Sequence, residues 1–368
     1  MDSLSIFPAT SEQIRESRIR TFPEWGHRMT QEEYVGREEM LDTKPHADHG
    51  KMTIWVLAPR SDPTTTDFFS SCETYHREAI VSGEPNSVAY GIASVFTAER
   101  HRGKGYAKHL MRLLHFVLIK PELLPPFPAA AWGEPPSVPE GLGKGVASVL
   151  YSDVGDGFYN KCGPGVGDEH LDKAWITHDP NGTIWPVTID ITDSRPKGFR
   201  WISSEEQERV WKRDAELLRT ELATEPSTST TFSFLPDNGV AQFLYERNKN
   251  FVPSSWKGDR WGALIETPEA FSFATWALDP GPSGLSTLII TRLRATEESF
   301  PALLYAAVQV ARELSLENVE VWNLPPHLAQ IGEKLGGKTG PRDEHLPGLA
   351  WYGSKKVVWE HNEKFCWC

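Results

Sequence analysis

One short stretch constrains the fold of this chain more than any other, because it joins a predicted strand to a predicted helix through a basic turn. Segment 88–97 is apolar and typical of a strand, and residues 107–118 carry apolar side chains at helical spacing. Between them stands the run Arg100-His101-Arg102-Gly103-Lys104-Gly105-Tyr106-Ala107. The N–H groups of such a turn, together with the positive end of the following helix, can hold a phosphate.

The spacing of the two glycines separates this turn from two well-known phosphate loops. Position 108 is Lys108, so a dinucleotide-binding Gly-x-Gly-x-x-Gly is not completed, and no Lys-Ser/Thr pair follows at Walker spacing. The remaining pattern, Arg-x-x-Gly-x-Gly, resembles the pyrophosphate-binding signature of the GNAT acetyltransferases. A turn that only caps a helix is the alternative, and the flanking strand and helix favour the phosphate loop.

Composition narrows the class of protein without naming a function. A length of 368 residues suits two domains, and 39% hydrophobic with 24% charged residues is ordinary for a soluble globular chain. No membrane span or secretory signal is recognised, and four scattered cysteines indicate no disulfide framework, so we expect a cytoplasmic protein. The net charge of −12 argues against nucleic acid as a partner. The oligomeric state stays open.

The order of predicted elements in the first half agrees with the GNAT fold. Helices are predicted at 11–22, 30–42 and 107–118, strands at 51–57, 67–82, 88–97 and 146–152, a turn at 84–87, a loop at 121–144, and a short helix at 155–162. In GNAT proteins the strands before and after the central helix are parallel neighbours that splay apart, and the pantetheine arm of acetyl-CoA enters there. The resemblance implies the same arrangement here.

The second half repeats part of this order. We predict a hairpin at 180–182, a helix at 203–222, a polar linker at 225–231, strands at 271–278, 285–293, 319–324 and 349–352, and helices at 299–314 and 326–335. The turn at 294–299 contains no glycine and two acids, so it cannot hold pyrophosphate. The prediction is an α+β chain: a GNAT domain with a mixed central sheet at 1–195, then a degenerate GNAT-like domain at 196–368. An unrelated α+β domain is the alternative for the second half.

Further segments resemble the fungal-type lysine N-acetyltransferases, a GNAT branch with a GNAT-like C-terminal half. They are the turn from Arg100 to Ala107, which we call the phosphate turn, and residues 70–74, 150–155 with Phe158 and Tyr159, and 362–368. The resemblance covers nearly the whole chain. It implies transfer of acetyl from acetyl-CoA to the side-chain amine of free lysine.

Acetyl transfer needs a base for the amine and an acid for the departing thiolate. Tyr159 matches the GNAT tyrosine that protonates the sulfur of coenzyme A, with an ordinary core tyrosine as the alternative. Glu73 is a candidate base, or a structural carboxylate paired across strands. Glu99 and His101 flank the turn and could titrate, and Asp153 could cap a short helix.

The remaining candidate residues concern acetyl-CoA and the end of the sequence. Backbone N–H groups near Val95 and Phe96 could polarise the thioester carbonyl. The acetyl-CoA phosphates are assigned to Arg100, Arg102, Gly103, Lys104, Gly105, Tyr106 and Ala107. By analogy with N-myristoyltransferases, a carboxylate at Cys368 could hold or deprotonate the amine, and packing alone is the alternative. No metal is expected, because Cys366-x-Cys368 has no partner cluster.

These residues predict an acetyl-CoA-dependent N-acetyltransferase that acts on the side-chain amine of lysine or a similar small amine, by direct transfer through a tetrahedral intermediate. Acetylation of a polyamine or a toxin-like metabolite is one alternative. A non-catalytic module that binds acetyl-CoA is the other.

Overall fold

Two β-sheets organise the chain, which a computed structural model describes over residues 1–223, 228–268, 270–281 and 284–368. The first part of the chain supplies β1 (Leu4–Pro8), α1 (Ser11–Trp25), α2 (Gln31–Asp42), β2 (Met52–Pro59), β3 (Ser70–Val81), β4 (Glu84–Thr97), α3 (Tyr106–Leu118), α4 (Ala129–Trp132), β5 (Gly145–Ser152) and β6 (Ile176–Thr177). The helices predicted at 11–22, 30–42 and 107–118 and the long strands of this part are confirmed to within a few residues.

The second part of the chain is equally rich in short elements. It forms β7 (Asn181–Pro186), β8 (Phe199–Ile202), α5 (Gln207–Glu221), β9 (Thr230–Phe234), α6 (Gln242–Asn248), β10 (Gly262–Glu266), β11 (Phe271–Gly281), β12 (Gly284–Arg294), α7 (Phe300–Glu313), β13 (Asn318–Trp322), α8 (Pro326–Lys334), β14 (Lys338–Pro341), β15 (Leu346–Trp351) and β16 (Val357–Trp359). Of the predicted linker 225–231, residues 225–227 lie outside the described part, and Thr230 and Thr231 already belong to β9.

The first sheet carries the strands on either side of the phosphate turn. Its order is β1-β2-β3-β4-β5-β15-β6, with β9 paired to β3 and β16 paired to β9. β4 and β5 run parallel, whereas β2–β3 and β3–β4 are antiparallel, so the sheet is mixed as predicted. The helix α3 lies against one face, where its apolar stripe is buried with Trp55, Tyr90 and Leu150.

The second sheet repeats this plan in the C-terminal half. Its order is β14-β7-β13-β12-β11-β10-β8, and β12 and β13 form its parallel pair. The helix α7 buries nine side chains, including Leu303 and Leu304, in the core of this sheet. The turn before α7 is closed by Thr296 and Ser299, since each hydroxyl accepts the backbone N–H of the other at 3.2 and 2.9 Å. The amides of those two residues are thereby used within the turn.

Three strands of the second half complete the first sheet. β15 pairs antiparallel with β5, β9 with β3, and β16 runs parallel to β9. The predicted last strand at 349–352 is therefore part of the first sheet, as β15. Each sheet draws strands from both sides of residue 195. The domain boundary predicted there stays a prediction.

Three local predictions were wrong in detail. The hairpin predicted at 180–182 does not form, because β6 joins the first sheet and β7 the second. The helix predicted at 155–162 is only a 3-10 turn, Tyr159–Lys161. The turn predicted at 84–87 lies earlier, at Ser82 and Gly83, where the positive φ of Gly83 (85°) lets the chain reverse. At 84–87 and at 180–182 a polar turn signal competed with strand pairing that only the folded sheets show.

Candidate active site

The phosphate turn begins with a single 3-10 turn, Glu99–His101, and ends at Gly105, the residue before α3. Gly103 and Gly105 have φ values of 75° and 81°, a region that L side chains rarely adopt. The amide of Arg102 is bonded within the turn, to the carbonyl of Glu99 at 3.0 Å. The first amides of α3, those of Tyr106 and Ala107, have no intrahelical acceptor by the geometry of a helix start. The turn therefore presents donors beside the positive end of α3.

The basic side chains of the turn are exposed but already paired. Arg100 donates to Asp67 at 2.6 Å, and this bond lowers the pKa of the Asp67 carboxyl. Arg102 donates to Glu24 at 2.9 Å, and Lys104 donates to the carbonyl of Arg100 at 3.1 Å. Phosphates that approached the turn would compete with Asp67 and Glu24 for these guanidinium groups.

The parallel strands β4 and β5 part beside this turn. Their pairing ends at Ile92 opposite Leu150, although β4 continues to Thr97 and β5 to Ser152. β4 also bulges, because Ser94 and Val95 both lie opposite Cys72 of β3, and Ser94 takes a φ of 53°. Beyond Ile92 the edge of β4 that faced β5, which includes Val95 and Phe96, is free of its neighbour. This is the splay that the sequence predicted.

Glu73 lies on β3 next to the bulge. Its Oε2 accepts hydrogen bonds from the hydroxyls of Tyr75 at 2.9 Å and Ser94 at 3.0 Å. Burial, and then the negative charge of Glu38, raise the pKa of the Glu73 carboxyl above its ordinary value. A carboxyl so placed exchanges a proton nearer to neutral pH than an exposed glutamate does.

Tyr159 is the first residue of the 3-10 turn that follows β5. Its ring packs edge-on against Phe158 at 4.9 Å and borders the core beneath α3. Burial raises the pKa of its phenol, and the nearby thiols of Cys162 and Cys72 add to this. Tyr159 therefore keeps its proton over the ordinary pH range and can act as a donor.

Cys368 reaches the same sheet from the second half of the chain. A Cβ at Gly91 would lie 2.9 Å from Cys368 Sγ and 3.2 Å from the Cζ of Arg77. Arg77 also donates to the carbonyl of Cys366 at 2.6 Å. Gly91 pairs with Tyr75, the residue whose hydroxyl bonds Glu73. Cys368 and Glu73 thus lie two strand positions apart on one face of the sheet, and the role of the Cys368 carboxylate stays a prediction.

Buried charges hold the terminal segment in place. Glu363 accepts from the guanidinium of Arg292 and from the backbone N–H of Leu293 at 2.7 Å, and Arg292 also donates to Asp214 at 2.7 Å. The Nζ of Lys364 lies 3.2 Å from Oδ2 of Asp279. Removing one partner from a buried ion pair leaves the other uncompensated. Residues 362–368 are consequently docked on the rest of the protein by buried charges.

Three other candidates from the sequence have different surroundings. Glu99 is exposed on the 3-10 turn, and the ring of His101 packs on Phe69 at 5.1 Å. Asp153 accepts the backbone N–H of His345 at 2.8 Å rather than capping a helix. Among the described residues, no group of three His, Cys, Asp or Glu side chains is arranged to hold a metal ion.

Several residues of this site were missed from the sequence. Tyr75 and Ser94 bind Glu73, and Arg77 and Gly91 meet the terminal segment. Gly91 carried a signal, because an isolated glycine within an apolar strand often marks the close approach of another group. The others depend on the bulge in β4 and on contacts between distant parts of the chain.

The fold and the turn together define a protein of the GNAT (GCN5-related N-acetyltransferase) class. Residues 185–368, half of the chain, match the family model described as LYC1 GNAT-like C-terminal domain. The chain belongs to this LYC1-like GNAT family. The GNAT-like character predicted for the second half is thereby confirmed.

Two relatives support the assignment at the level of sequence. A Yarrowia lipolytica protein named lysine acetyltransferase is 31% identical over 157 residues, which are 41% of this chain and 38% of that protein. The match therefore spans well under half of that relative. The uncharacterized Saccharomyces cerevisiae protein YGR111W is 24% identical, over 97% of this chain and 95% of its own length.

Solved structures show the same fold. An Enterococcus faecalis protein described as a probable N-acyltransferase superposes with a TM-score of 0.54 at 11% identity, covering 95% of this chain and 72% of that one. A GCN5-related N-acetyltransferase from Anabaena variabilis also gives 0.54, at 12% identity, with 95% and 73% covered. No helix in the described ranges is long and apolar enough to cross a membrane.

Proposed function

We propose that this chain transfers the acetyl group of acetyl-CoA to the side-chain amine of free lysine or a closely similar small amine. The observation that carries the proposal is the position of the phosphate turn. Gly103 and Gly105 precede α3 directly beside the splay between β4 and β5, so a pyrophosphate on the turn leaves the pantetheine arm pointing into the splay. The lysine acceptor is supported by the name of the Yarrowia relative.

Binding of acetyl-CoA depends on backbone more than on side chains in this account. The amides at the start of α3 hold the pyrophosphate, and Arg100, Arg102 and Lys104 neutralise part of its charge. Backbone N–H groups on the free edge of β4, near Val95 and Phe96, stabilise the oxyanion that forms when the amine attacks the thioester carbonyl.

Proton transfer is divided between two residues. An ammonium must lose a proton before its nitrogen can attack, and Glu73 takes this proton directly or through water. Attack forms the C–N bond and a tetrahedral intermediate. The C–S bond then breaks, and Tyr159 gives its proton to the departing thiolate. The attacking nitrogen still carries one proton more than the amide product, and this proton passes through water to the Tyr159 phenolate and restores the phenol, while Glu73 returns its proton to solvent. The raised pKa values of both groups suit these roles, since one must gain a proton and the other must hold one until the sulfur leaves.

The test is release of free coenzyme A thiol, measured with acetyl-CoA and a panel of lysine, cadaverine, spermidine and buffer alone. Lysine is expected to give the highest kcat/KM, with acetyl found on its side-chain nitrogen by mass spectrometry. Preference for spermidine would move the function to polyamine acetylation. Acetyl-CoA binding without thiol release on any amine would identify a non-catalytic module and overturn the proposal.

A further inference from the structure

Arg342 lies in the segment between β14 and β15. Of its three guanidinium nitrogens, only Nη1 makes hydrogen bonds within the described part of the chain. The group lies flat over the ring of Trp322, with its Cζ 3.6 Å from the ring centroid. Its Nη1 donates to the carbonyls of Glu344 at 3.1 Å and His345 at 2.8 Å. Stacking and these two bonds together fix the plane in which the remaining N–H groups point.

The opposite edge of the same guanidinium has no partner. Both Nε and Nη2 of Arg342 are shielded from solvent, and neither meets an acceptor in the described part of the chain. A buried, unpaired donor on a charged group is costly, so such an edge is expected to meet an acceptor in the working protein. The edge formed by Nε and Nη2 is one that binds a carboxylate through two parallel hydrogen bonds.

The nearby carboxylates are occupied elsewhere. Glu320 accepts the indole N–H of Trp322 at 2.9 Å, and Asp153 accepts the amide of His345 at 2.8 Å. Burial lowers the pKa of Arg342 to about 10, so the side chain still carries its charge at neutral pH. Glu320 and Asp153 act on Arg342 through their charges but without a hydrogen bond to it, so its free edge is available to an anion brought from outside.

Tyr151 presents a second unpaired donor beside the same tryptophan. Its ring lies 5.7 Å from the ring of Trp322, and its hydroxyl is shielded from solvent without a partner among the described residues. Burial keeps the pKa of this phenol well above its ordinary value, so the hydroxyl can donate. Arg342 and Tyr151 thus both place unpaired donors beside Trp322.

The position of Tyr151 relates this pair to the transfer site. Gly91 lies opposite Val149 of β5 and opposite Tyr75 of β3, so Tyr151 and Glu73 project from the same face of the sheet. Because β4 separates their strands, their backbones are about 10 Å apart across the sheet. Tyr151 also lies one residue beyond Leu150, where β5 leaves β4. A short chain with a carboxylate at one end and an amine at the other can bridge this interval.

We propose that Arg342 and Tyr151 bind the carboxylate of the acceptor, and that the acceptor is consequently an amino acid with a side-chain amine. This inference rests on the proposed function, and it adds the group by which the acceptor is recognised. The guanidinium edge receives the two carboxylate oxygens, and the Tyr151 hydroxyl donates to one of them. The acceptor chain then extends along the sheet, so that its amine lies near Glu73.

The experiment compares three acceptors that differ in one group each: lysine, 6-aminohexanoate, which lacks the α-amine, and cadaverine, which lacks the carboxylate. Arg342→Lys keeps the charge but loses the paired N–H edge, and Tyr151→Phe removes only the hydroxyl. Arg260→Lys is the matched control, since Arg260 also lies over a tryptophan, Trp201 at 5.0 Å, but pairs with Glu313.

In the unmodified protein, lysine and 6-aminohexanoate should both exceed cadaverine in kcat/KM. Arg342→Lys should lower kcat/KM for these two about 10- to 100-fold, mainly through KM, because a charge-assisted bidentate bond is lost. Its value for cadaverine, and every value of Arg260→Lys, should not change. Tyr151→Phe should give a smaller loss in the same pattern. An equal loss for all three acceptors, or no loss for lysine, would overturn the proposal.

Binding measurements separate this inference from the proposed function. Lysine and 6-aminohexanoate, titrated by calorimetry in the presence of coenzyme A, should bind the unmodified protein more tightly than cadaverine does, whether or not any acceptor is acetylated. If no amine is acetylated but this preference is present and is weakened in Tyr151→Phe, the transfer function fails and the carboxylate site stands. Should Arg342→Lys not fold, as judged by its thermal melt, Tyr151→Phe decides alone. Equal affinity for all three ligands contradicts the site.

Discussion

Cys368 packs against Gly91 of β4, with its Sγ 2.9 Å from where a Cβ at position 91 would stand. The terminal segment of the second half is thereby part of the face on which Glu73 lies. This contact links the two halves at the transfer site, because Gly91 is the strand partner of Tyr75. A side chain at position 91 would therefore have to displace the Cys368 thiol for the segment to dock.

Gly91→Ala should disturb this contact. The new methyl group would meet both Cys368 and Arg77, so we expect a loss of stability of about 1–3 kcal/mol, as for other overpacked sites, and lower turnover. The double variant Gly91→Ala/Cys368→Ala removes the closest atom and should recover most of both losses. Urea unfolding and thiol release measure the coupling. Simple additivity of the two substitutions would show that residues 91 and 368 do not interact.

Gly103→Val tests the phosphate turn. A β-branched side chain at a φ of 75° costs about 1–2 kcal/mol, and the strained turn should raise the KM for acetyl-CoA about tenfold while leaving the KM for lysine unchanged. Gly141→Val is a close control, since Gly141 also has a positive φ (89°) and open space around its Cβ, but lies in the loop before β5. Equal effects of the two substitutions on acetyl-CoA would count against the turn as the phosphate site.

Tyr159→Phe tests the proposed acid. Loss of the phenol should lower kcat about 100-fold, in the range typical of a general acid, with little change in acetyl-CoA affinity. Burial holds the pKa of Tyr159 above its ordinary value, so the unmodified protein should show no alkaline fall in rate near pH 9. Tyr305→Phe, in α7 of the second half, is the control. A normal kcat for Tyr159→Phe would assign this tyrosine to the core.

Much of the first half could be predicted from its sequence, because the phosphate turn, the strand before it and the helix after it are contiguous and their signals are local. Gly103 and Gly105, which the sequence placed in this turn, both have positive φ values there. Contacts that join distant segments could not be predicted. Nothing in the sequence of 346–351 indicates that this segment pairs with β5. Nothing in the sequence around Arg342 indicates that its side chain lies on the same tryptophan as Tyr151. Strand pairing across some 200 residues is decided by the packing of the whole sheet.

The hydrogen bonds to Glu73 illustrate the same limit. Its position in a strand was predictable from alternation, but the bulge at Ser94 moves a hydroxyl to within 3.0 Å of the carboxylate. A bulge adds one residue to a strand and re-aims the side chains beyond it. The sequence could therefore suggest a carboxylate in the sheet, but not its partners.

Glu73→Gln should remove the acidic limb of the pH profile. Burial and Glu38 raise the pKa of Glu73, whereas Arg18 and the two hydroxyls oppose the shift, so kcat/KM should rise with pH through a value above that of an exposed glutamate. The glutamine variant should lose about 100-fold in kcat/KM and this limb with it. Glu99→Gln, on the exposed 3-10 turn, is the comparison. If Glu99→Gln instead removes the limb, the base has been misassigned.

His115 gives the fold a pH dependence that is separate from catalysis. Its Nε2 lies 2.7 Å from the carbonyl of Cys162, and burial lowers its pKa to about 4. The unfolded chain takes up a proton near pH 6.5 and the folded chain does not, so stability should fall between pH 7 and pH 5 by about 2 kcal/mol from this residue.

Urea unfolding of His115→Gln at the two pH values checks this. The variant is less stable at pH 7, but its stability should fall less between pH 7 and pH 5 than that of the unmodified protein. His49→Gln, whose side chain is 89% exposed, should keep the original dependence. Identical pH dependence of His115→Gln and the unmodified protein would contradict a neutral, buried His115.

The central claim is that the turn from Arg100 to Ala107 holds acetyl-CoA so that its acetyl group passes directly to an amine beside Glu73. Single-turnover transfer of labelled acetyl, with the protein in excess over acetyl-CoA, tests this most directly. Label should appear on the side-chain nitrogen of lysine at the same rate as free coenzyme A, without label on the protein. Label that passes first to the protein, or coenzyme A release that does not depend on lysine, would contradict it.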